Sequence, residues 1–241
     1  MTTPSSRPAA ANPENPWISL LINIAIPALV LMKLSGEQHL GPVMGLLVAL
    51  SFPLVYGIQD ALRRRRLNFI SALGVVSTLL TGGIGLLQLD PRWLAVKEAA
   101  IPAVIGIVIL LSAQFGYPLV KTLLYNPKIL DTEKIGRILR DRGHAEIFEE
   151  RLLKATYLFS ATFFFSAVMN YLLATWIVTS PAGSEAFNEE LGRLTLISYP
   201  VIAVPSMAMM LAIFYFLWRS IHGFTGLKFE EMLAETLVDE K

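Results

Sequence analysis

The sequence predicts an all-α membrane protein, a polytopic helix bundle with about six transmembrane helices and both termini on the cytoplasmic side. Its 241 residues are 54% hydrophobic and only 16% charged, whereas soluble domains carry roughly a quarter charged residues. The uncharged stretches are long enough to cross a hydrocarbon core of ~30 Å, which takes about 20 helical residues. The Lys and Arg residues are also divided unevenly between alternate loops, as in proteins oriented in a membrane.

Six apolar stretches follow an N-terminal tail, residues 1–16, whose Pro, Ala, Ser and Asn content predicts disorder. Backbone exposed to lipid must satisfy its own hydrogen bonds, and stretches of this length do so as helices. None shows the ten-residue alternation of an outer-membrane barrel strand. We therefore expect transmembrane helices near residues 17–34, 40–59, 68–89, 98–120, 153–179 and 194–218.

The distribution of cations predicts the orientation of these helices. Sixteen of the twenty Lys and Arg residues fall in the segments that would face the cytoplasm if the N-terminus lies inside. Cytoplasmic loops carry the excess of positive charge in membrane proteins. The split places both termini inside and favours an even number of spans. The four cations on the opposite side are Lys33, Arg92, Lys97 and Arg193.

The longest predicted cytoplasmic loop, residues 126–152, combines charges of both signs with a helical pattern of apolar positions. Asp131 is placed to cap a helix, and Gly143 and His144 to end it. Such a helix would lie on the bilayer surface or under the bundle, or would dock a partner. The apolar positions on its common face are Ile135, Ile138 and Leu139.

The C-terminal segment, residues 222–241, carries an apolar stripe among acidic residues. An anionic inner leaflet repels acidic side chains. We therefore expect this amphipathic tail to pack on protein, either on the cytoplasmic loop of its own chain or on a partner, and a frayed end is the alternative. The stripe consists of Phe229, Met232, Leu233 and Leu237.

Four consecutive arginines, Arg63, Arg64, Arg65 and Arg66, end the second predicted span. A basic run at the inner end of a span is explained as a determinant of topology. Contact with anionic lipid headgroups is a compatible second role. Binding of nucleic acid would need a larger basic surface with interleaved aromatic residues, so no nucleic-acid partner is expected.

Small residues recur at intervals of four in the third predicted span. Such a face lets membrane helices approach closely, and close packing is the simplest interpretation. The functional alternative is that residues 81–85 unwind and, with Asn170 of the fifth span, line a transport pathway. The residues at intervals of four are Gly74, Thr78 and Gly82, and Gly83 and Gly85 lie beside them.

Charged residues gather at the predicted external end of the third and fourth spans, at Asp90, Arg92, Lys97 and Glu98. Lys97 and Glu98 would open the fourth helix, where Glu98 suits the positive end of the helix dipole, and would pair with Asp90 and Arg92 as a clamp on the loop. A binding site for a headgroup or solute is the alternative. No Asp, Glu, Lys, Arg or His lies deep within a predicted span, which disfavours transport through a carboxylate relay.

Sequence signals for catalysis and cofactors are missing. The chain has no cysteine, and its three histidines fall in different predicted loops, so neither a disulfide nor a metal cluster is expected. It contains no nucleophile elbow, zinc-protease or phosphate-loop motif. We therefore expect a protein without catalytic, metal or cofactor-binding residues.

The segment from Leu80 to Trp93, followed by Lys97 and Pro102, resembles bacterial intracellular septation protein A and its relatives. The shared pattern is paired glycines late in a span, a short acidic external loop, an aromatic residue and a lysine that opens the next helix. The likeness covers roughly residues 24–125. In the family the lysine directly precedes proline, whereas four residues separate them here.

The resemblance implies a multi-pass protein of the bacterial inner membrane that acts in envelope maintenance or division through protein partners. It supplies no catalytic residues. A homo-oligomer is a further option, and a small transporter or channel is the rival function. The expected organisation is a tail (1–16), a four-helix membrane region resembling the family (17–125), a cytoplasmic helical loop (126–152), two further spans (153–221) and a cytoplasmic tail (222–241).

Overall fold

The computed structural model describes residues 21–64, 69–116 and 118–234, and these residues form helices joined by turns. Within them, one isolated antiparallel bridge joins Leu130 to Leu233. The helices are α1 (Ile26–Lys33), α2 (Gly41–Arg64), α3 (Phe69–Leu86), α4 (Arg92–Gln114), α5 (Leu119–Leu123), α6 (Thr132–Asp141), α7 (Ala145–Ile177), α8 (Glu185–Ser198), α9 (Val204–Thr225) and α10 (Phe229–Met232).

Four of these helical stretches are long and apolar enough to cross a membrane: Gly41–Gln59, Arg92–Gln114, Ala145–Ile177 and Glu185–Thr225. They confirm the prediction of a helical protein with several candidate spans. The count of six stays a prediction, because the first apolar stretch lies partly outside the described residues and the apolar part of α3, Ala72–Leu86, is shorter. The placement of both termini inside also stays a prediction.

The fourth span is displaced from its predicted bounds of 98–120. Helix α4 begins at Arg92 and ends at Gln114. Gly116 adopts a left-handed φ of 78°, a conformation that glycine accepts without steric cost. Pro118 then precedes the short helix α5. The apolar composition of residues 115–120 concealed this break.

The last span is the end of a continuous helical stretch of 41 residues, Glu185–Thr225. Between α8 and α9 a π-helical segment, Tyr199–Ala203, contains Pro200. A second π-helical segment, Leu21–Ala25, leads into α1, and each π segment is followed by a helix with proline in its first turn. Because proline lacks an N–H group and crowds the preceding turn, a widened turn lets the helix continue past it.

Contacts divide the chain into two units. The first contains Met1–Leu89 and Ser180–Leu196, with its described core built from α1, α2, α3 and the start of α8. Helices α2 and α3 pack along each other, and Leu46 and Phe187 are buried among them. The N-terminal tail, residues 1–16, lies outside the described residues.

The second unit contains Asp90–Thr179 and Ile197–Lys241 and is built around helix α7. Helix α4 packs along α7, and α9 packs on α7 as well. Gly106 of α4 permits a close approach, because a Cβ added there would lie 3.3 Å from the Cβ of Phe163. At the same crossing the buried Ser160 hydroxyl donates a 2.8 Å hydrogen bond to the Gly106 carbonyl. Small residues and interhelical hydrogen bonds of this kind hold membrane helices together.

Candidate functional site

The glycine-rich region of α3 is helical from Phe69 to Leu86, including residues 81–85. A Cβ added at Gly82 would lie 2.9 Å from Leu50 Cδ1 of α2, and one added at Gly85 would overlap Leu46. These two glycines therefore mark close helix packing. The structure has no unwound segment at 81–85, so the broken-helix form of the pathway is not observed.

The other members of the small-residue set make no such contact. A Cβ added at Gly74 or Gly83 would meet nothing within 4 Å. The Thr78 hydroxyl donates to the Gly74 carbonyl one turn earlier in the same helix, at 2.9 Å. The predicted interval of four thus captures only part of the packing face.

The four charged residues at the predicted external end form two separate local contacts. Asp90 Oδ1 accepts a 2.8 Å hydrogen bond from the backbone N–H of Arg92, at the start of α4. The Lys97 ammonium pairs with the Glu98 carboxylate at 2.6 Å, and Lys97 is buried. The predicted pairing of Lys97 and Glu98 with Asp90 and Arg92 is not among these contacts, since Asp90 bonds the first turn of α4 and Lys97 pairs with the adjacent Glu98.

The basic run is only partly described. Arg63 and Arg64 end helix α2, and the positions of their side chains are not described. Arg65 and Arg66 lie outside the described residues, as does Leu237 of the predicted tail stripe. The interpretation of the arginines as a topology or lipid-contact element stays a prediction.

A small open pocket of about 260 Å³ in the second unit is lined by Asn170 and three serines among apolar side chains. The Asn170 amide donates within its own helix to the Ser166 carbonyl at 2.8 Å. The Ser206 hydroxyl is buried and has no hydrogen-bond partner among the described residues. The pocket abuts the π-helical segment, a feature often found at functional sites. Its lining residues are Ser166, Asn170, Ser198, Tyr199, Ile202, Ala203 and Ser206.

The loop and tail predicted to face the cytoplasm fold together as a structure that we call the cap, residues 118–152 and 226–234. Asp131 caps α6 by accepting from the backbone N–H of Lys134 at 3.0 Å, and Gly143 ends it with φ 69°. Ile135 and Leu139 are buried and Ile138 is partly so. The predicted N-cap residue Asp131, the predicted break at Gly143 and the predicted apolar face of this helix are confirmed.

The tail packs on this loop of its own chain, as one of the two predicted arrangements. The backbone N–H of Asp131 donates to the Met232 carbonyl at 2.8 Å, and the backbone N–H of Ala234 donates to the Ile129 carbonyl at 3.1 Å. Met232 is buried in the cap core. The helical part of the tail is short, Phe229–Met232, and the chain then becomes extended. The pairing of Leu130 with Leu233 explains why the predicted tail helix ends there.

An apolar groove of about 390 Å³ opens between the cap and α9. Phe229 is 56% exposed at its edge, and the indole N–H of Trp218 is buried without a hydrogen-bond partner in the described chain. The groove is lined by several aromatic side chains, which are enriched at protein interfaces. Its lining residues are Leu124, Tyr125, Ile129, Leu130, Phe148, Leu152, Phe214, Tyr215, Leu217, Trp218, Ile221, Phe229, Met232 and Leu233.

Sequence reasoning missed a buried polar contact in the first unit. Asn188 of α8 is fully buried, and its amide donates to Ser35 Oγ at 3.0 Å and to the Pro42 carbonyl at 2.7 Å. Gly45 leaves the space that Ser35 occupies, because an added Cβ would overlap the Ser35 hydroxyl. The partners are about 150 positions apart in the sequence, so no local pattern announces the contact.

Comparison with protein-family models, with curated proteins and with solved structures gave no match. Among the described residues no group of three or more His, Asp or Glu side chains is arranged to hold a metal ion. The class is therefore defined by the fold of the described residues: a helical architecture with four stretches long and apolar enough to cross a membrane, as in a multi-pass membrane protein.

Proposed function

We propose that this chain is a non-enzymatic, multi-pass protein of the bacterial inner membrane that supports envelope maintenance or division by binding a protein partner. The single observation that carries the proposal is the apolar groove between the cap and α9. The resemblance of residues 24–125 to intracellular septation protein A suggests the setting in the envelope.

The groove suits an apolar segment of a partner protein. Its wall is shaped by the fixed backbone of the cap, since Asp131, Ile129 and the tail are joined by hydrogen bonds. The exposed Phe229 ring offers an apolar anchor at the groove. Aromatic anchors in a pocket are typical of interface hot spots.

Photocrosslinking in native membranes tests this proposal. A photoreactive phenylalanine analogue in place of Phe229 should yield a defined adduct with another protein. The matched control places the analogue at Arg137, which is exposed on α6 and does not line the groove, and should yield none. Adducts from position 229 that join only lipid or the chain itself would contradict the proposal, as would equal adducts from both positions.

The pocket lined by Asn170 favours a second candidate function, transport of a small polar solute or ion. Its support is the unpaired Ser206 hydroxyl beside a π-helical segment within a candidate span. Polar groups at membrane depth are costly and often mark solute pathways. Gly82, one of the third-span residues of the predicted pathway, is packed against Leu50 in the first unit.

Flux into proteoliposomes tests this second candidate. Vesicles containing the purified chain should admit glycerol or K⁺ faster than empty vesicles, and Asn170→Leu should slow the entry. Thr175→Val is the matched control, because Thr175 is exposed on the same helix and bonds only within it, to the Tyr171 carbonyl. Entry rates equal to those of empty vesicles would exclude transport of these probes.

A further inference from the structure

A second groove, of about 510 Å³, follows the seam between α7 and α9 on the membrane-spanning part of the second unit. Apart from Lys154 and Thr162, the side chains that line this groove are apolar. The Thr162 hydroxyl is satisfied within its own helix, because it donates to the Leu158 carbonyl at 3.1 Å. The lining residues are Lys154, Leu158, Ala161, Thr162, Met209, Ala212, Ile213 and Phe216.

One cation, Lys154, lines this groove, and a second, Arg151, contacts the ring of Phe216, which also lines it. The Arg151 guanidinium carbon lies 5.9 Å and the Lys154 ammonium 6.0 Å from the centroid of the Phe216 ring. No carboxylate of the described chain forms a salt bridge with either cation in the structure. Both cations thus contact the same aromatic ring, and their positive charge is available to an anionic ligand.

This charged end falls where the uncharged part of both helices stops. Lys154 is the last charged residue of α7, since residues 155–177 contain none, and Arg219 is the first on α9 after the uncharged residues 194–218. The two helices therefore carry cations at the same end of their apolar lengths. In a membrane this is the level of the lipid headgroups.

The apolar part of the groove is opened by small side chains. Ala161 and Ala212 are both exposed, one on each helix. From Lys154 to Thr162 the groove follows eight residues of α7, or ~12 Å of helix. A channel of this shape, apolar along its length and cationic at one end, has the charge pattern of an anionic phospholipid.

We propose that this seam is a binding site for one anionic phospholipid of the surrounding bilayer. Its phosphate lies against Lys154 and Arg151, and an acyl chain lies in the groove over Ala161 and Ala212. Each cation near a membrane surface strengthens attraction to an anionic lipid by a factor of about five. The site is separate from the groove that carries the proposed partner binding, so either assignment can fail alone.

Native mass spectrometry of the full chain in detergent, with equal amounts of phosphatidylglycerol and phosphatidylethanolamine, tests the proposal. The unaltered chain should retain phosphatidylglycerol in preference. Lys154→Gln and Arg151→Gln should each weaken retention of phosphatidylglycerol about fivefold, and Lys154→Arg should preserve it. Arg137→Gln removes an exposed cation outside the groove and should leave retention unchanged.

Ala161→Leu separates a built site from general surface charge, because it fills the groove and keeps both cations. It should lower retention of phosphatidylglycerol although the charge is the same. Equal retention of the two lipids by the unaltered chain would overturn the proposal. So would unchanged retention in Lys154→Gln or in Ala161→Leu, or a loss in Arg137→Gln as large as that in Lys154→Gln.

Discussion

Tyr125 lies where the segments of the cap meet, outside the candidate membrane spans. Its hydroxyl donates to the Thr132 carbonyl at 3.1 Å, and its ring packs edge-on against Phe148 with centroids 5.2 Å apart. Burial of the phenol, and secondly the Glu149 carboxylate, raise the pKa of Tyr125 to about 12. Both effects disfavour the phenolate.

This shift predicts an alkaline limit to the stability of the cap. The folded pKa lies above the unfolded value of 10.0, so the stabilisation is fully present below about pH 10 and is lost as pH rises towards about 12. The difference in phenolate absorbance between the chain and Tyr125→Phe should titrate near pH 12. A midpoint near pH 10 for that difference would show that the phenol is not buried as described.

A second prediction at the scale of single residues concerns Asn188. Its buried amide donates to the buried Ser35 hydroxyl and to the part-buried Pro42 carbonyl. Removing it takes a donor from both, and a buried polar group left unsatisfied costs about 1–3 kcal/mol. Asn188→Ala should therefore lower the midpoint of thermal unfolding in detergent by several degrees. The measurement is circular dichroism at the helical band during heating.

The neighbouring Glu189 provides the control for this substitution. It forms an exposed ion pair with Arg193, and exposed pairs contribute about 1 kcal/mol or less. Glu189→Gln should hardly change the midpoint. If both variants lower it equally, the contact of Asn188 with Ser35 does not stabilise the first unit in the way described.

Single residues also show where sequence reasoning succeeds and fails. The helix N-cap at Asp131 and the helix end at Gly143 are local signals, because each residue acts on backbone groups a few positions away. The bonds of Asn188 to Ser35 and of Ser160 to Gly106 join distant segments. A polar side chain in an apolar helix indicates that a partner exists but does not identify it.

At the scale of elements, helix α3 tests whether its glycines serve packing. An added methyl group at Gly85 would overlap the buried Leu46, whereas one at Gly83 would meet nothing within 4 Å. Gly85→Ala should therefore destabilise the chain by about 1–3 kcal/mol through overpacking. Gly83→Ala should be neutral or stabilise it by up to about 1 kcal/mol, because alanine favours the helix.

The two variants carry the same substitution, from glycine to alanine, two residues apart in the same helix. Their unfolding in a denaturing detergent, compared with that of the unaltered chain, measures the difference directly. The opposite order of stability, or an equal loss in both, would contradict the packing of α2 on α3 at Leu46.

Composition predicts where a helix lies better than it predicts where that helix ends. The apolar runs locate the long helices, because spanning a membrane requires uncharged length. The end of α4 at Gln114 and the π-helical segment around Pro200 were not predicted. Both depend on how a glycine or proline is accommodated by the turn before it, which hydropathy does not encode.

At the scale of the whole molecule, charge and length predict the class of protein but not its ligands. The four long apolar helices agree with the composition, and the sidedness rests on the distribution of cations alone. The two apolar grooves were not predicted, because their lining residues come from segments far apart in the sequence. The amphipathic patterns of the loop and the tail did indicate that the two segments need an apolar partner.

Labelling of introduced cysteines tests the central claim, a sided multi-pass protein whose cap faces the cytoplasm. The chain has no cysteine of its own, so Arg137→Cys in the cap and Glu185→Cys at the start of α8 report without background. In intact spheroplasts a membrane-impermeant maleimide should label position 185 at once and position 137 only after permeabilisation. Labelling of position 137 from outside, or equal labelling of both positions, would contradict the claim.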